Sequence, residues 1–423
     1  MLPKGTDDRR SRARPAAVAA ALGALAIGAA FLAWAASADA HWAEQHVLAS
    51  RCATNEAAWV LARGARWIGA ALGLGALALA PALARRAGRA SPRLRPSSVA
   101  GVALAVTASL GVTELYLRHL HVRLASGDAP RGREERDAGM TRVDPRLGWA
   151  YVPARTTWTR VGGRAVPYVI DADGARAASA DQVAPRAAPT VLFAGESIAF
   201  GYGLPWDETF PAQVGQRLGV EAVNLAVVGY GSDQAYLRVV DALPRTLRPL
   251  AVVTVFVPEQ VKRNVDPWRP RLVLGPDGAL AAAPPAGGPR LARLLQQLPY
   301  HDDDALRVTA AVLRATAAAA RARRAFPLFL VTNYGPACRR DAGGEAWVVD
   351  ELFVRQGLPF VRVDLGPEDR LPGIFEGHPS LRGTRRLAAA VEQALRAELG
   401  PRLEESFRPQ ASGLVEEGGR GSR

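Results

Sequence analysis

Cysteine is nearly absent from this chain of 423 residues, occurring only at Cys52 and Cys338. Two thiols are too few for a disulfide scaffold or a cysteine-built metal cluster, and free thiols are the default unless both lie in an oxidising compartment. Lysine is nearly missing as well, so the formal net charge of +13 rests on arginine. Those arginines are scattered or flank apolar runs. No aromatic-interleaved basic helix and no zinc motif accompanies them, so the charge does not read as a nucleic-acid footprint and no nucleic-acid partner is expected. Internal repeats are absent too. The bias toward Ala, Arg, Gly and Pro is the mark of a GC-rich coding sequence rather than of a function.

Charge is also missing from two long stretches near the N-terminus, 15–38 and 67–84, and a third apolar run at about 98–117 carries only Glu114, near its outer end. About 20 apolar residues suffice to cross a bilayer as a helix, so the region 1–120 is expected to hold about three transmembrane helices. The second run is Gly- and Ala-rich and only marginally long. Lys4, Arg9, Arg10, Arg12 and Arg14 precede the first run, and Arg85, Arg86, Arg89, Arg93 and Arg95 fill the connection between the second and third. Basic flanks stay cytoplasmic, which places everything after about residue 120 outside, with the protein in a bacterial inner membrane and membrane lipid as a partner. In an alternative reading, Ala36-Ser37-Ala38 or Ala38-Asp39-Ala40 is a signal-peptidase site and the first run is removed. The orientation of the C-terminal part is the same in both.

Residues 121–188 read as a polar linker and a small β-rich prelude. Trp149 and Tyr151 alternate with small residues as on a half-buried strand, and Thr156–Arg160 and Ala165–Ile170 flank Gly162-Gly163 as in a hairpin. From 189 to 400 strands and helices alternate. Strands are expected at 190–195, 221–227, 250–257, 327–333 and 359–364, with helices at 208–219, 232–243, 303–325 and 343–356. A last helix near 380–399 carries Leu387, Val391, Leu395 and Leu399 on one face. This rhythm predicts an α/β fold with a parallel sheet between two helical layers. A hairpin is expected around Pro276-Asp277-Gly278. Residues 401–423, rich in Glu, Gly and Arg, are expected to be a disordered tail.

The first of these strands stops at Gly195-Glu196-Ser197, with Gly201 and Gly203 following, so one serine stands at its carboxyl end. Open α/β sheets bind ligands at that end. A serine hydroxyl needs a base. His378 lies in Phe375-Glu376-Gly377-His378-Pro379, after the fifth strand and before the last helix, which puts it at the same edge. Glu376 is placed to orient the imidazole, the third role of a catalytic triad. After the second strand, Gly229 could bring a backbone N–H near a reacting carbonyl, and with the N–H of Ser197 it would form an oxyanion hole. The bland reading of the same segment is a strand-to-helix turn capped by Ser232 or Asp233.

These residues resemble the SGNH or GDSL esterases and lipases. Gly195-Glu196-Ser197 with Gly201 is similar to the family's first block, with Glu for the usual Asp. Asn224 to Gly229 is similar to the second, and Glu376-Gly377-His378-Pro379 to the last, again with Glu for Asp. The resemblance covers roughly 190–400. It implies a flavodoxin-like three-layer fold, no metal or other cofactor, and serine-dependent acyl transfer to water. One block departs from the pattern. The third strand ends Phe256-Val257-Pro258-Glu259-Gln260 where the family has an oxyanion-hole Asn, leaving Gln260 or Asn264 as substitutes or a hole of two donors only.

The expectation that follows is a membrane-anchored, extracytoplasmic serine esterase or deacylase. Ser197 would be the nucleophile, His378 the base, Glu376 its orienting carboxylate, and the N–H groups of Ser197 and Gly229 the oxyanion hole. The substrate expected from location is an ester-bearing envelope glycan or lipid. The alternatives are an O-acyltransferase acting on envelope polysaccharide and a binding module of the same fold that has lost catalysis.

Overall fold

The computed structural model describes residues 7–38, 62, 65–70, 72–78, 139–161, 164–181, 188–267, 269–286, 303–334, 342–371 and 377–406. Five parallel strands form its centre: β5 (Pro189–Ala194), β6 (Glu221–Asn224), β7 (Arg248–Phe256), β10 (Phe326–Thr332) and β11 (Phe360–Val363). Their spatial order is β11-β10-β7-β5-β6. Counted along the chain this is 2-1-3-4-5 read from the β6 edge, the flavodoxin-like order, with the switch point beside β5. The expected α/β fold with a parallel sheet is therefore present.

Burial explains the sequence of the central strands. Val191, Leu192, Phe193 and Ala194 of β5 are all fully buried, as are Ala251, Val253, Val255 and Phe256 of β7. Strands covered on both faces read as continuous apolar runs rather than as alternation. One covering layer contains α3 (Phe210–Leu218) and α8 (Leu381–Ser406); the other contains α4 (Ser232–Ala242) and α6 (Asp303–Ala322). Leu387, Val391, Leu395 and Leu399 of α8 face the core as their spacing predicts.

Helix α8 does not stop at 400. It passes Pro401 and continues to Ser406, with Leu403 buried against the main core, so the expected disordered tail begins too early. Pro401 costs one helical hydrogen bond, and the burial of Leu403 offsets it. The cap of α4 also differs from expectation. Gly231 is the N-cap residue, and its N–H donates to the side chain of Gln234 at 3.0 Å. Ser232 and Asp233 are used elsewhere, on Gln260 and on the N–H of Leu272.

The prelude is built onto the sheet. β1 (Thr141–Asp144) pairs with β2 (Gly148–Tyr151), and β3 (Arg155–Val161) with β4 (Arg164–Ile170), both antiparallel. Arg176 then donates its backbone N–H to the carbonyl of Asn224 at 2.8 Å, so the segment after β4 bridges the outer edge of β6 at its last residue. The Arg176 side chain is fully buried, with its guanidinium 4.5 Å from the Tyr168 ring centroid and 4.7 Å from that of Phe200. Its Nη2 donates to the carbonyls of Pro167 and Leu204. Beyond α4, the expected hairpin forms from β8 (Arg271–Leu274) and β9 (Leu280–Ala283).

At the N-terminus, α1 covers Asp7–Ser37, and further helix is present at 65–70 and 72–78. Among the described residues no helix is long and apolar enough to cross a membrane. The three expected spans thus gain no support from the fold. The third, at 98–117, and the end of the second lie outside the described residues, as do Cys52 and Cys338.

Candidate active site

The turn after β5 is built for one serine. Gly195 has φ 141°, and a Cβ there would lie 3.0 Å from the Cβ of Val255, so no other residue fits without strain. Glu196 follows as the N-cap of the short helix α2 (Ser197–Phe200), its Oε1 accepting the Ile198 N–H at 3.0 Å. Ser197 is the first helical residue. Asn224, at the end of β6, fixes this helix from the side: its Nδ2 donates to the Ala199 carbonyl at 2.8 Å and its Oδ1 accepts from Ala226 N–H at 3.1 Å.

His378 arrives from the far side of the sheet. Its loop is held by Arg370, which donates to the carbonyls of Gly377, Asn333 and Leu365, and by the Leu371 N–H, which donates to the His378 carbonyl at 2.9 Å. The imidazole lies between two phenols, with ring centroids 4.7 Å from Tyr202 and 5.8 Å from Tyr334. Its Nε2 is 2.9 Å from Ser197 Oγ. The two residues are 181 positions apart in the chain and meet at the carboxyl edge of the sheet.

Two further groups reach the same oxygen. Ser197 Oγ lies 2.5 Å from Glu196 Oε2 and 2.6 Å from the Tyr334 hydroxyl, which itself donates to Glu196 Oε2. Glu196 has no exposed surface. A carboxylate buried this deeply needs compensation. The hydroxyl contacts and the guanidinium of Arg263, 4.0 Å from Oε2, supply it. Arg263 also donates to the Tyr230 carbonyl at 3.1 Å and lies 5.8 Å from the Tyr334 ring centroid. Burial, and then the charge of Glu196, push the Tyr334 phenol well above the ordinary tyrosine range, with Arg263 pulling the other way. Burial alone would depress Arg263, but Tyr334 and Glu196 more than offset it and its guanidinium is held above the usual value.

The Gly229 loop is stitched to the nucleophile turn. Leu225 N–H donates to the Phe193 carbonyl at 2.7 Å, and Val227 N–H to the Gly195 carbonyl at 3.3 Å. Gly229 has φ 83° and its carbonyl accepts from Arg269 Nη1 at 3.3 Å. Tyr151 and Trp149 of the prelude hold Val228 from above.

The two amides expected to replace the missing oxyanion Asn do not do so. Gln260 Oε1 accepts from Ser232 Oγ at 2.6 Å and its Nε2 donates to the Val255 carbonyl at 3.4 Å. Asn264 Oδ1 accepts the Asp233 N–H at 3.3 Å and its Nδ2 donates to Thr309 Oγ1 at 2.9 Å. Both are fully buried and consumed in packing helices together. Glu376 lies outside the described residues. The carboxylate found at the serine is Glu196, and neither its contact nor that of Tyr334 was expected. Tyr334 stands just past the end of β10, at the edge where strand ends converge, and that position was the available signal.

The chain is similar to several solved GDSL-type and SGNH-hydrolase structures. A G-D-S-L family protein from Desulfitobacterium hafniense DCB-2 aligns at 15% identity over 48% of this chain and 98% of its own, with a TM-score of 0.33. A GDSL-like lipase from Bacteroides thetaiotaomicron aligns at 18% identity over 52% of this chain and 94% of its own, TM-score 0.31. The SGNH-hydrolase family esterase AlinE4 aligns at 15% identity over 52% and 97%, TM-score 0.26. No family model matches the chain, and no curated protein does. At such identities and scores the likeness decides neither substrate nor mechanism, which must come from the site itself.

Proposed function

We propose that this protein is a serine esterase or deacylase, anchored in a membrane with its α/β domain on the extracytoplasmic side. The observation that carries the chemistry is the 2.9 Å approach of His378 Nε2 to Ser197 Oγ. In the proposed reaction, Oγ forms a bond to the ester carbonyl carbon as its proton passes to Nε2, and the carbonyl electron pair moves onto oxygen. The resulting oxyanion is held by the N–H groups of Ser197 and Gly229. It collapses, the C–O bond to the alcohol breaks, and His378 returns its proton to the departing oxygen. Water then repeats the sequence on the acyl-serine. Glu376, two residues before His378 in the chain, is assigned the orienting role on the imidazole. The proposed substrate is an ester-bearing envelope glycan or lipid, most simply an O-acyl group, on the ground of location.

The proposed anchor rests on the uncharged runs 15–38 and 67–84 and the arginines that flank them. A Cβ on Gly28 would lie 2.9 Å from Leu77 Cγ, and one on Gly73 2.7 Å from Leu32 Cγ, so these two glycines face inward between the helices. Leu22, Ile27, Trp67 and Ile68 point outward, each more than half exposed. Large apolar residues on the outer surface, with helices in close contact at Gly28 and Gly73, suit a lipid surrounding.

The purified protein is expected to hydrolyse an activated acetyl ester, and Ser197→Ala to abolish the hydrolysis. Unchanged turnover in that variant removes Ser197 as the nucleophile. For the anchor, alkaline carbonate should leave the protein in the membrane pellet; recovery in the wash would refute it.

A further inference from the structure

Ser197 has a single hydroxyl proton and three acceptors within reach, Glu196 Oε2 at 2.5 Å, the Tyr334 hydroxyl oxygen at 2.6 Å and His378 Nε2 at 2.9 Å. Only transfer to His378 serves the proposed chemistry, because that histidine must later hand the proton to the leaving alcohol. A proton shared with Glu196 leaves the imidazole idle. A carboxylate beside the nucleophile is therefore a competitor for the activating step, and something must occupy it.

The Tyr334 hydroxyl donates to that same Oε2 atom. The other carboxylate oxygen, Oε1, is already taken by the Ile198 N–H. Both hydroxyls lie against Oε2, which has lone pairs for each, but a phenol is the stronger hydrogen-bond donor, so its bond draws charge from that oxygen and weakens the hold on the Ser197 proton. The phenol is buried and held protonated by its surroundings, so it remains a donor. Arg263, at 4.0 Å, reduces the pull of Glu196 further.

We infer that Tyr334 is a positioning residue that engages the Glu196 carboxylate and thereby commits the Ser197 proton to His378. The inference rests on the proposed serine chemistry and extends it to a residue that the motif blocks do not contain. It also gives a reason for the Tyr334 phenol to lie against the nucleophile, 137 residues away in the chain.

The test is a double-mutant cycle on the full-length protein with an activated acetyl ester. In Tyr334→Phe the ring stays and the hydroxyl goes, so Glu196 captures the serine proton. Loss of general-base assistance is worth about 10²–10⁴ in rate, so kcat/KM is expected to fall roughly 100-fold. Adding Glu196→Gln removes the competing charge while keeping an oxygen for the Ile198 N–H. The double variant is expected to recover at least roughly tenfold over Tyr334→Phe alone. A purely structural role predicts the reverse, since two packing defects in one cluster do not cure each other.

A Tyr334→Phe variant within twofold of wild type, or a double variant no faster than Tyr334→Phe, overturns the inference. Should Tyr334→Phe fail to fold, Glu196→Gln alone still decides: a fall of less than roughly tenfold supports the inference, and any larger fall makes Glu196 itself part of the proton path and refutes it. Ser197→Ala in the same assay separates the two levels. If it retains activity, the serine reading fails; if it is inactive while Tyr334→Phe is normal, only the inference does.

Discussion

Trp149 donates its indole N–H to the carbonyl of Val228 at 3.1 Å, one residue before Gly229. Tyr151, two residues on, accepts the Val228 N–H at 3.1 Å. Both backbone groups of one loop residue are thus held by a strand that lies about 80 positions earlier. Trp149→Phe should keep most of the packing against Tyr230 and lose the hydrogen bond, costing about 1 kcal/mol in urea unfolding. Because the loop carries the proposed oxyanion donor, kcat should fall more than KM rises. A loss confined to stability would separate the prelude from catalysis.

Gly195→Ala tests the nucleophile turn. The backbone there sits at φ 141°, and the added methyl would meet Val255 at 3.0 Å. Backbone strain and overpacking together predict a loss of roughly 2–4 kcal/mol, read as a lower denaturation midpoint with unchanged slope. A variant of wild-type stability would mean that the turn is softer than its geometry implies.

Residues that act as a unit are not additive. His378→Ala should lose nearly as much activity as Ser197→Ala, and the pair together no more than either alone. Multiplicative losses in the double variant would argue that the two side chains work separately in spite of their 2.9 Å contact.

The buried phenols set a limit at high pH. Tyr334 and Tyr230 are both raised chiefly by burial. In the unfolded chain they titrate near pH 10, whereas the folded protein keeps both protons beyond that point. The folded state therefore binds more protons above about pH 10, and stability should fall as pH rises there, by up to about 1.4 kcal/mol per pH unit for each group. Below that pH they contribute no slope. Denaturant titrations at pH 8.5, 9.5 and 10.5 read this directly, and Tyr334→Phe should shrink the decline by one proton. An equal decline in that variant would locate the effect elsewhere.

The parts of this site that the sequence discloses are those set by chain rhythm. Ser197 ends an apolar run, and His378 precedes a helix whose leucines recur every four residues, so both fall at one sheet edge without any knowledge of contacts. What the sequence conceals depends on partners distant along the chain. Gln260 and Asn264 are plausible oxyanion amides until Ser232 and Thr309 are seen to hold them. Tyr334 reads as the overrun of a strand, and its meaning appears only once β10 lies next to β7 and brings the phenol over Glu196. Helix α8 outlasts Pro401 for a similar reason, since the burial of Leu403 is a tertiary fact.

The stapling of residue 176 to residue 224 bears on where this chain can be cut. Alternating strands and helices begin at 189, which makes that position an inviting place to start an expression clone. A fragment beginning there would lose the Arg176 bridge to the outermost strand and the indole that steadies the glycine loop. It should self-associate through its bared margin and turn over poorly, whereas one starting at 139 keeps both supports. The smallest competent unit is set by edge protection rather than by the repeating pattern of the sheet.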